Sequence, residues 1–598
     1  MPTLVTLASF QTSTTGGILG YGLIADSQGD LFGTTDFGPG TGSTTENGSV
    51  FELTYGNGNY AASPTTIGNL GSSGNGGSPP IGELAIDSAG DLFGVTHGGG
   101  VHFQGSLLEI QYTAGSYTSS ADTVVSFNGT NGNSPDGGVL IDGTGDLIGT
   151  TYSGGANGDG TIFEIVDNDG SYASTPTPVV TFSGSNGAHP TGALLKDAAG
   201  DLFGITTAGG GNNAGTVFEV VNSATGYASM PQTLISFSTS DGFDPSGGLA
   251  MDAAGDLFET TPAGGTAGDG TVFEIIDSGG NYASIPTTLV TFDGSNGATP
   301  YGTLIVDAAG NLFGTTSAGG TLGDGTVFEV PDTAGIYASS PITLGTFDVT
   351  NGAMPNGGLL ADAAGNLFGT TLEGGSGSNA DGTVFEVTGT GFVVACYRSG
   401  TRLATPTGDQ AIERLSAGDR VITQAGEARP IIWVGHRHID CRRQPIPQRS
   451  WPIHIVAGAF GEGAPHRSLW LSPDHSIFVE GMLIPAKCLI NGTTIVQERS
   501  DEVTYWHVEL EQHDVLLAEG LPCESFLDTG NRSAFDEGGN IVQMRPDFAS
   551  WRWEAEACGP LVVTGPILEQ VRARLAERNN TLMGIGIAVA AVMADVAA

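Results

Sequence analysis

Asp30-Leu31-Phe32-Gly33-Thr34-Thr35 is the phrase on which the fold turns, because it returns with small changes from Asp91, Asp146, Asp201, Asp256, Asn311 and Asn366. The first interval is 61 residues and every later one is 55. A fixed period of this length marks a supersecondary unit that buries its core only against its neighbours.

One unit, 302–356, can be read from its punctuation. Gly302-Thr303-Leu304-Ile305-Val306 reads as a short strand, Asp307-Ala308-Ala309-Gly310 as a tight turn and Asn311 to Thr316 as a second strand. A glycine-rich loop then leads to Thr326-Val327-Phe328-Glu329-Val330, and a fourth apolar run follows at Ile342 to Phe347. β-Branched and aromatic runs bounded by Gly, Asp and Asn are strands, and no helical period interrupts them. Four strands per unit, seven times, predicts a seven-bladed β-propeller.

The ends of the array carry that expectation further. The last unit lacks a fourth strand, and Thr3-Leu4-Val5-Thr6-Leu7-Ala8-Ser9-Phe10 supplies one that matches Thr288 to Phe292. The first strand is therefore expected to close the last blade, which removes an open edge.

Charge divides the chain at the end of the repeats. Residues 1–390 hold one basic residue, Lys196, against 38 Asp and Glu, while 391–598 hold 18 basic and 25 acidic residues. So acidic a surface repels phosphate backbones and anionic headgroups, and nucleic acid is not expected as a partner. Two domains or more are required at 598 residues. The divisions expected are 1–390 for the propeller, 391–540 for a second β domain, and 541–598 for an extension with one amphipathic helix. That helix runs from Pro566 to Glu577, with Ile567, Leu568, Val571 and Leu575 on the face that packs on the second domain.

The turn aspartates from Asp26 to Asp362 and the loop aspartates Asp159, Asp269, Asp324 and Asp381 offer oxygen ligands for Ca2+. Capping of their own turns is the favoured reading, since no run has the full Asp-x-Asp-x-Asp-Gly loop. The repeated glutamates, Glu52 to Glu386, read as blade residues, because identical environments do not supply an unlike acid and base. No cofactor is otherwise expected, and the propeller's ligand is unnamed by the sequence.

Cysteines occur at 396, 441, 488, 523 and 558, an odd number without a Cys-x-x-Cys pair, which disfavours a disulfide scaffold. The N-terminus has neither a basic region nor a long apolar run, so the expectation is secretion or surface display by a leaderless route, with a cytoplasmic location as the alternative. The apolar run from Met583 contains Asp595 and falls short of the roughly 20 residues of a spanning helix.

From Cys396 onward the chain reads Cys396-Tyr397-Arg398-Ser399-Gly400-Thr401, then Gly418-Asp419-Arg420-Val421, Ile432-Trp433-Val434-Gly435, Leu471-Ser472-Pro473-Asp474-His475, and Tyr505 to Gly520. In this order and spacing the segment resembles the Hint (hedgehog/intein) family of self-cleaving domains. The repeats resemble the Gloeo/Verruco tandem repeat family, which implies a bacterial repeat platform and nothing catalytic.

The Hint resemblance implies that Cys396 attacks the carbonyl of Ala395, converting the amide to a thioester, with His475 donating a proton to the leaving nitrogen and Ser472 orienting it. His507, His513 and Asp514 fall where the family places a residue that activates the cysteine, and His513 and Asp514 are favoured. Five residues past Gly520 stands Ser525, where inteins carry a terminal Asn, and Cys523 is two residues away. Splicing through a succinimide is therefore not expected, and cleavage by water, a thiol or another acceptor remains. This is a single-turnover autocatalytic activity, with an inactive Hint domain on a structural or adhesive protein as its rival.

Around that site, Ile477, Val479 and Met482-Leu483-Ile484 read as strands with His475 on a preceding turn, and Asn491-Gly492 reads as a two-residue hairpin. His436, His438 and Cys441 are metal-ligand types, but in an Arg- and Pro-rich setting they read as a basic loop.

Overall fold

A computed structural model of the chain describes residues 2–525 apart from short stretches, the longest being 40–47, 71–78, 239–244, 377–380, 391–396, 444–449 and 511–513, together with most of 568–578. The described chain is almost entirely β, with one α-helix at 568–578. Among the described residues no helix is long and apolar enough to cross a membrane.

Among the described residues the repeats form seven antiparallel sheets of four or five strands, with three two-stranded ribbons beside them. In the sixth, Ile305–Val306, Leu312–Thr316, Thr326–Val330 and Ile342–Thr346 lie side by side in chain order, the four strands read from the sequence. The second and third strands pair in register from Leu312↔Val330 to Thr316↔Thr326. The strand that closes the seventh sheet is Thr3–Ser9, antiparallel to Thr383–Thr388.

Two local details repeat through all seven sheets, and the first of them shows that Thr3–Ser9 occupies the place of a fourth strand. The register of the fourth strand shifts opposite the second and third residues of the third strand, between Val327 and Phe328 in the sixth sheet, between Leu107 and Leu108 in the second, and opposite Val384 and Phe385 in the seventh. Such a bulge sharpens the local twist. The last threonine of the recurring phrase meets a hydroxyl of the third strand, 2.7 Å for Thr35 and Ser49 and 2.9 Å for Thr371 and Thr383, so two buried polar groups satisfy each other.

Apolar clusters couple each sheet to the next. Ile24 and Phe32 of the first pack with Leu84 and Leu92 of the second, and Phe313 and Val327 of the sixth with Leu359 and Leu367 of the seventh. Phe10, Leu23 and Phe51 pack with Leu360 and Phe368, which brings the seventh sheet against the first. A tyrosine from the loop of one unit also meets the phrase's Phe in the unit before, as Tyr117 does Phe32 at 5.3 Å. Tyr60 meets Phe368 in the same way at 5.6 Å, although 308 residues separate them in the chain.

Glycine in the middle of the phrase has a packing cause. A Cβ on Gly33 would lie 2.6 Å from Phe51 Cζ, and one on Gly314 would lie 2.7 Å from Leu304 Cδ2. The fifth unit departs from this rule with Glu259, which is 1 % exposed.

Among the described residues two more sheets follow the repeats. One has seven strands in the order Arg420–Ile422, Ala428–Asp440, Glu502–Leu510, Tyr397–Arg398, Leu469–Leu471, Ile453–Ile455, Ile495–Gln497. The other has six, in the order Gln410–Ala411, Arg402–Leu403, Val515–Ala518, Leu521–Glu524, Ser476–Val479, Met482–Pro485. Their shared core contains Leu403, Val421, Leu471, Ile477 and Val508, and the helix buries Leu568, Val571 and Leu575 against it, as its apolar face predicts.

The segment at Asn491 differs from the hairpin expected. Ala486–Leu489 is a short 3-10 helix and Ile495–Gln497 pairs with Ile453–Ile455, so the two flanks of the turn are not partners. Asn491 Oδ1 accepts the amides of Thr493, Thr494 and Ile495, and this side-chain cap turns the chain without a ladder.

Candidate functional site

Ser472 and His475 follow the strand Leu469–Leu471, and the His475 amide donates to the Ser472 carbonyl at 3.2 Å, a one-turn bend. The bend is held from the far side, because Ala486 and Lys487 donate their amides to the carbonyls of His475 and Pro473 at 3.0 and 2.8 Å. Both side chains are buried, His475 completely. The flanking strand pattern placed His475 on a turn, and the structure has it there.

Against His475 stands Tyr397, with ring centroids 4.1 Å apart. Tyr397 is the first described residue after Cys396, and it reaches this place because its strand lies between Glu502–Leu510 and Leu469–Leu471. Its hydroxyl donates to the Glu524 carbonyl at 2.5 Å, while Glu524 Oε1 accepts the Ser476 amide at 2.6 Å. Glu524 thus ties the two segments that present Tyr397 and His475.

Of the two described residues considered for activation, His507 stands beside the pair. Its ring lies 5.4 Å from His475 and 5.9 Å from Tyr397. Asp514 lies at the start of Val515–Ala518, where its amide donates to Ser525 Oγ at 2.9 Å and its Oδ2 is 4.0 Å from Arg429 Nε. Ala395, Cys396 and His513 lie outside the described residues.

Sequence reasoning passed over Tyr397 and Glu524. The signal for Tyr397 was a large aromatic directly after Cys396, and Glu524 carried none beyond its acidity near Ser525. Cys523 is fully buried, and burial with Glu524 beside it pushes its thiol well above its ordinary range. It stays protonated at neutral pH, which makes it a poor nucleophile.

His436, one of the metal-ligand types considered, lies on the long strand Ala428–Asp440 and stacks on Trp506 at 4.4 Å.

The repeats hold a different chemistry. Asp26 Oδ1 accepts the amides of Gln28 and Asp30, both at 2.9 Å, and the same pattern holds at Asp87 and Asp142. These carboxylates cap their own turns. Desolvation, with Asp30 and Asp26 nearby, raises Glu52 to about 7, and desolvation raises Glu274 and Glu386 to about 7 as well. Where the sevenfold pattern breaks, Asp36 is raised to about 6 by burial, and Asp36 and Asp136 together add to the burial that holds Tyr21 above its ordinary range.

A family model described as the Hint domain matches residues 395–530, and one described as the Gloeobacter/Verrucomicrobia repeat matches 20–230 and 225–413. Solved structures match each part. An intein-like domain from Clostridium thermocellum is 17 % identical, covers 22 % of this chain and 100 % of its own, with TM-score 0.17. The gp41-1 intein is 14 % identical, covers 22 % and 98 %, with TM-score 0.17. An ulvan lyase of polysaccharide lyase family PL25 is 13 % identical, covers 63 % and 95 %, with TM-score 0.40. No curated protein matches the chain.

Proposed function

The chain belongs to the Gloeobacter/Verrucomicrobia repeat family and carries a Hint domain behind its repeats, and from this premise we propose that it processes itself by cutting after Ala395. The Cys396 thiolate adds to the Ala395 carbonyl, the amide C–N bond breaks, and the departing Cys396 nitrogen takes a proton from His475. Ser472 orients that imidazole, and His513 or Asp514 assists the thiol. The thioester then passes its acyl group to water, a thiol or another nucleophile, with Cys396 leaving as the thiol.

The observation that carries this reading is the burial of His475 with Ser472 beside Tyr397, the residue next to Cys396. A buried imidazole is desolvated and fixed, the condition in which an acid acts on one atom rather than on solvent.

The part released is, in this proposal, a seven-bladed β-propeller displayed outside the cell as an acidic binding module. Support comes from Thr3–Ser9 completing the seventh sheet and from Phe10, Phe51 and Phe368 packing the seventh sheet against the first.

The test is incubation of the folded, reduced chain with a thiol or with hydroxylamine. A cut into fragments of 395 and 203 residues is expected, which together make the 598 of the chain. Cys396→Ala abolishes the cut, and His475→Ala slows it by about 10²- to 10⁴-fold, the range for a lost general acid. No spliced product forms. An intact chain under these conditions overturns the proposal and leaves the Hint domain as a structural part.

A further inference from the structure

Away from that site, Asp409, His466 and Glu519 bring one ligand atom each to within 4.8 Å of one another. Asp409 comes from the turn before Gln410–Ala411, His466 from the segment that leads into Leu469–Leu471, and Glu519 from the turn between Val515–Ala518 and Leu521–Glu524. His466 Nε2 lies 3.0 Å from Asp409 Oδ2 and 3.4 Å from Glu519 Oε2.

The three segments are stitched together by backbone. The His466 amide donates to the Glu519 carbonyl at 2.8 Å, and the Glu519 amide donates to the Arg402 carbonyl at 2.9 Å. Arg402 in turn donates its amide to Glu519 Oε1 at 3.0 Å and its Nη2 to the Asp409 carbonyl at 2.5 Å. Glu519 is 3 % exposed, so one carboxylate oxygen is fixed by an amide while Oε2, buried and making no hydrogen bond, faces the imidazole, with Arg467 Nε 4.0 Å away. Gly520 leaves room for the ring, since a Cβ there would lie 2.6 Å from His466 Nδ1.

We propose that Asp409, His466 and Glu519 form a site for one divalent transition-metal ion, Zn2+ or Mn2+. Two carboxylates and a neutral imidazole balance the ion's charge, and an oxygen and nitrogen donor set of this kind suits these metals. Bonds of about 2.1 Å place neighbouring ligand atoms about 3.0 Å apart at a right angle and about 3.4 Å apart at the tetrahedral angle. The separations of His466 Nε2 from the two carboxylates, 3.0 and 3.4 Å, have those values, and all three ligand atoms lie within 4.8 Å of one another. Water completes the coordination, as at sites with three protein ligands. The ion would hold the His466 segment to the turn that enters Leu521–Glu524. The rival arrangement is an imidazolium shared by two carboxylates, with no metal.

The site is independent of the cleavage proposal, and its test does not read cleavage. The full chain, stripped with a chelator and kept reduced, is titrated with Zn2+ alone and with Mn2+ alone by calorimetry, with thermal unfolding followed in parallel. One equivalent is expected to bind and to raise the unfolding midpoint. His466→Ala and the exposed-turn variant Asp409→Asn are expected to weaken binding by at least about tenfold, the loss seen when even an outer-shell partner is removed. Cys396→Ser keeps the affinity. Absence of saturable uptake by the folded chain, uptake unchanged in folded His466→Ala and Asp409→Asn, or uptake lost in Cys396→Ser instead would each overturn the site.

Discussion

The repeats and the C-terminal β region use polar side chains in opposite ways. In the repeats a carboxylate serves its own turn, as when Asp26 takes the amides two and four residues on. In the C-terminal region Tyr397 reaches Glu524 across 127 residues and His475 meets His507 across 32. Local service can be written into a repeat and copied, whereas a convergent site exists only once and depends on every strand that delivers it. Stability and function are therefore expected to separate along the chain.

The sharpest way to break that separation is at the closing strand. Phe10 is fully buried, 4.8 Å from Phe51, and shares a cluster with Phe368 of the seventh sheet. Phe10→Ala should cost about 3–5 kcal/mol in a denaturant titration of the repeats, with cleavage after Ala395 unchanged. A loss below 1 kcal/mol would mean that the first strand adds little to the seventh sheet.

Glu259 gives a test in the other direction. Burial raises its pKa well above the ordinary range, so it sits as a neutral acid, and burial outweighs the nearby amides of Thr260 and Gly247. Five of the other six units have a glycine whose Cβ would crowd the third strand's Phe, and Gly94 would crowd Leu84 in the same way. Glu259→Gly should stabilise the repeats by about 1–3 kcal/mol, the cost of a buried unsatisfied polar group. Unchanged or lower stability would show that this carboxyl contributes to packing.

In the C-terminal region, Tyr397→Phe keeps the ring against His475 and removes the bond to the Glu524 carbonyl. The expected stability loss is only about 1 kcal/mol, but the cut after Ala395 should slow by more than that loss explains. Equal rates would place Tyr397 in the core and outside the chemistry.

The smallest effect is with pH. Glu52, Glu274 and Glu386 have folded values of about 7 against 4.5, Asp26 and Asp36 about 6 against 3.8, and Asp252 about 7 against 3.8, chiefly through desolvation. Between those values the folded repeats hold protons that the unfolded chain has released. The stabilisation is full below the unfolded values and is lost as pH rises through the folded ones. The unfolding midpoint of the repeats should thus be higher near about pH 5 than near about pH 8, and a midpoint that rises with pH would contradict these shifts.

Much of this was legible beforehand. The period of 55 and the four strands per unit follow from short runs whose partners lie in the same unit, and the strand borrowed from the N-terminus was legible because it copies the fourth-strand pattern, although Thr3 pairs with Thr388 at the far end of the array; all were found in place. Ser472 and His475 were found through a motif of four adjacent residues. His507 stands beside His475 while Asp514 lies at the start of Val515–Ala518 and His513 falls outside the described residues, a placement that spacing alone does not reveal because it cannot see which face of a strand turns inward.

By itself, then, the sequence determined most of what depends on neighbours in the chain, the hairpin expected at Asn491 apart: strand, turn, capping aspartate, the amphipathic helix expected over Pro566–Glu577 and the change in charge at the end of the repeats. Only the tertiary structure decided what depends on strand order in a sheet. Tyr397 lies between strands that begin 72 and 105 residues later, and the ligand atoms of Asp409, His466 and Glu519 meet from turns up to 110 residues apart. The physical reason is that side-chain chemistry acts over a few ångström in space, while the order of strands that creates such proximity is set by packing of the whole core.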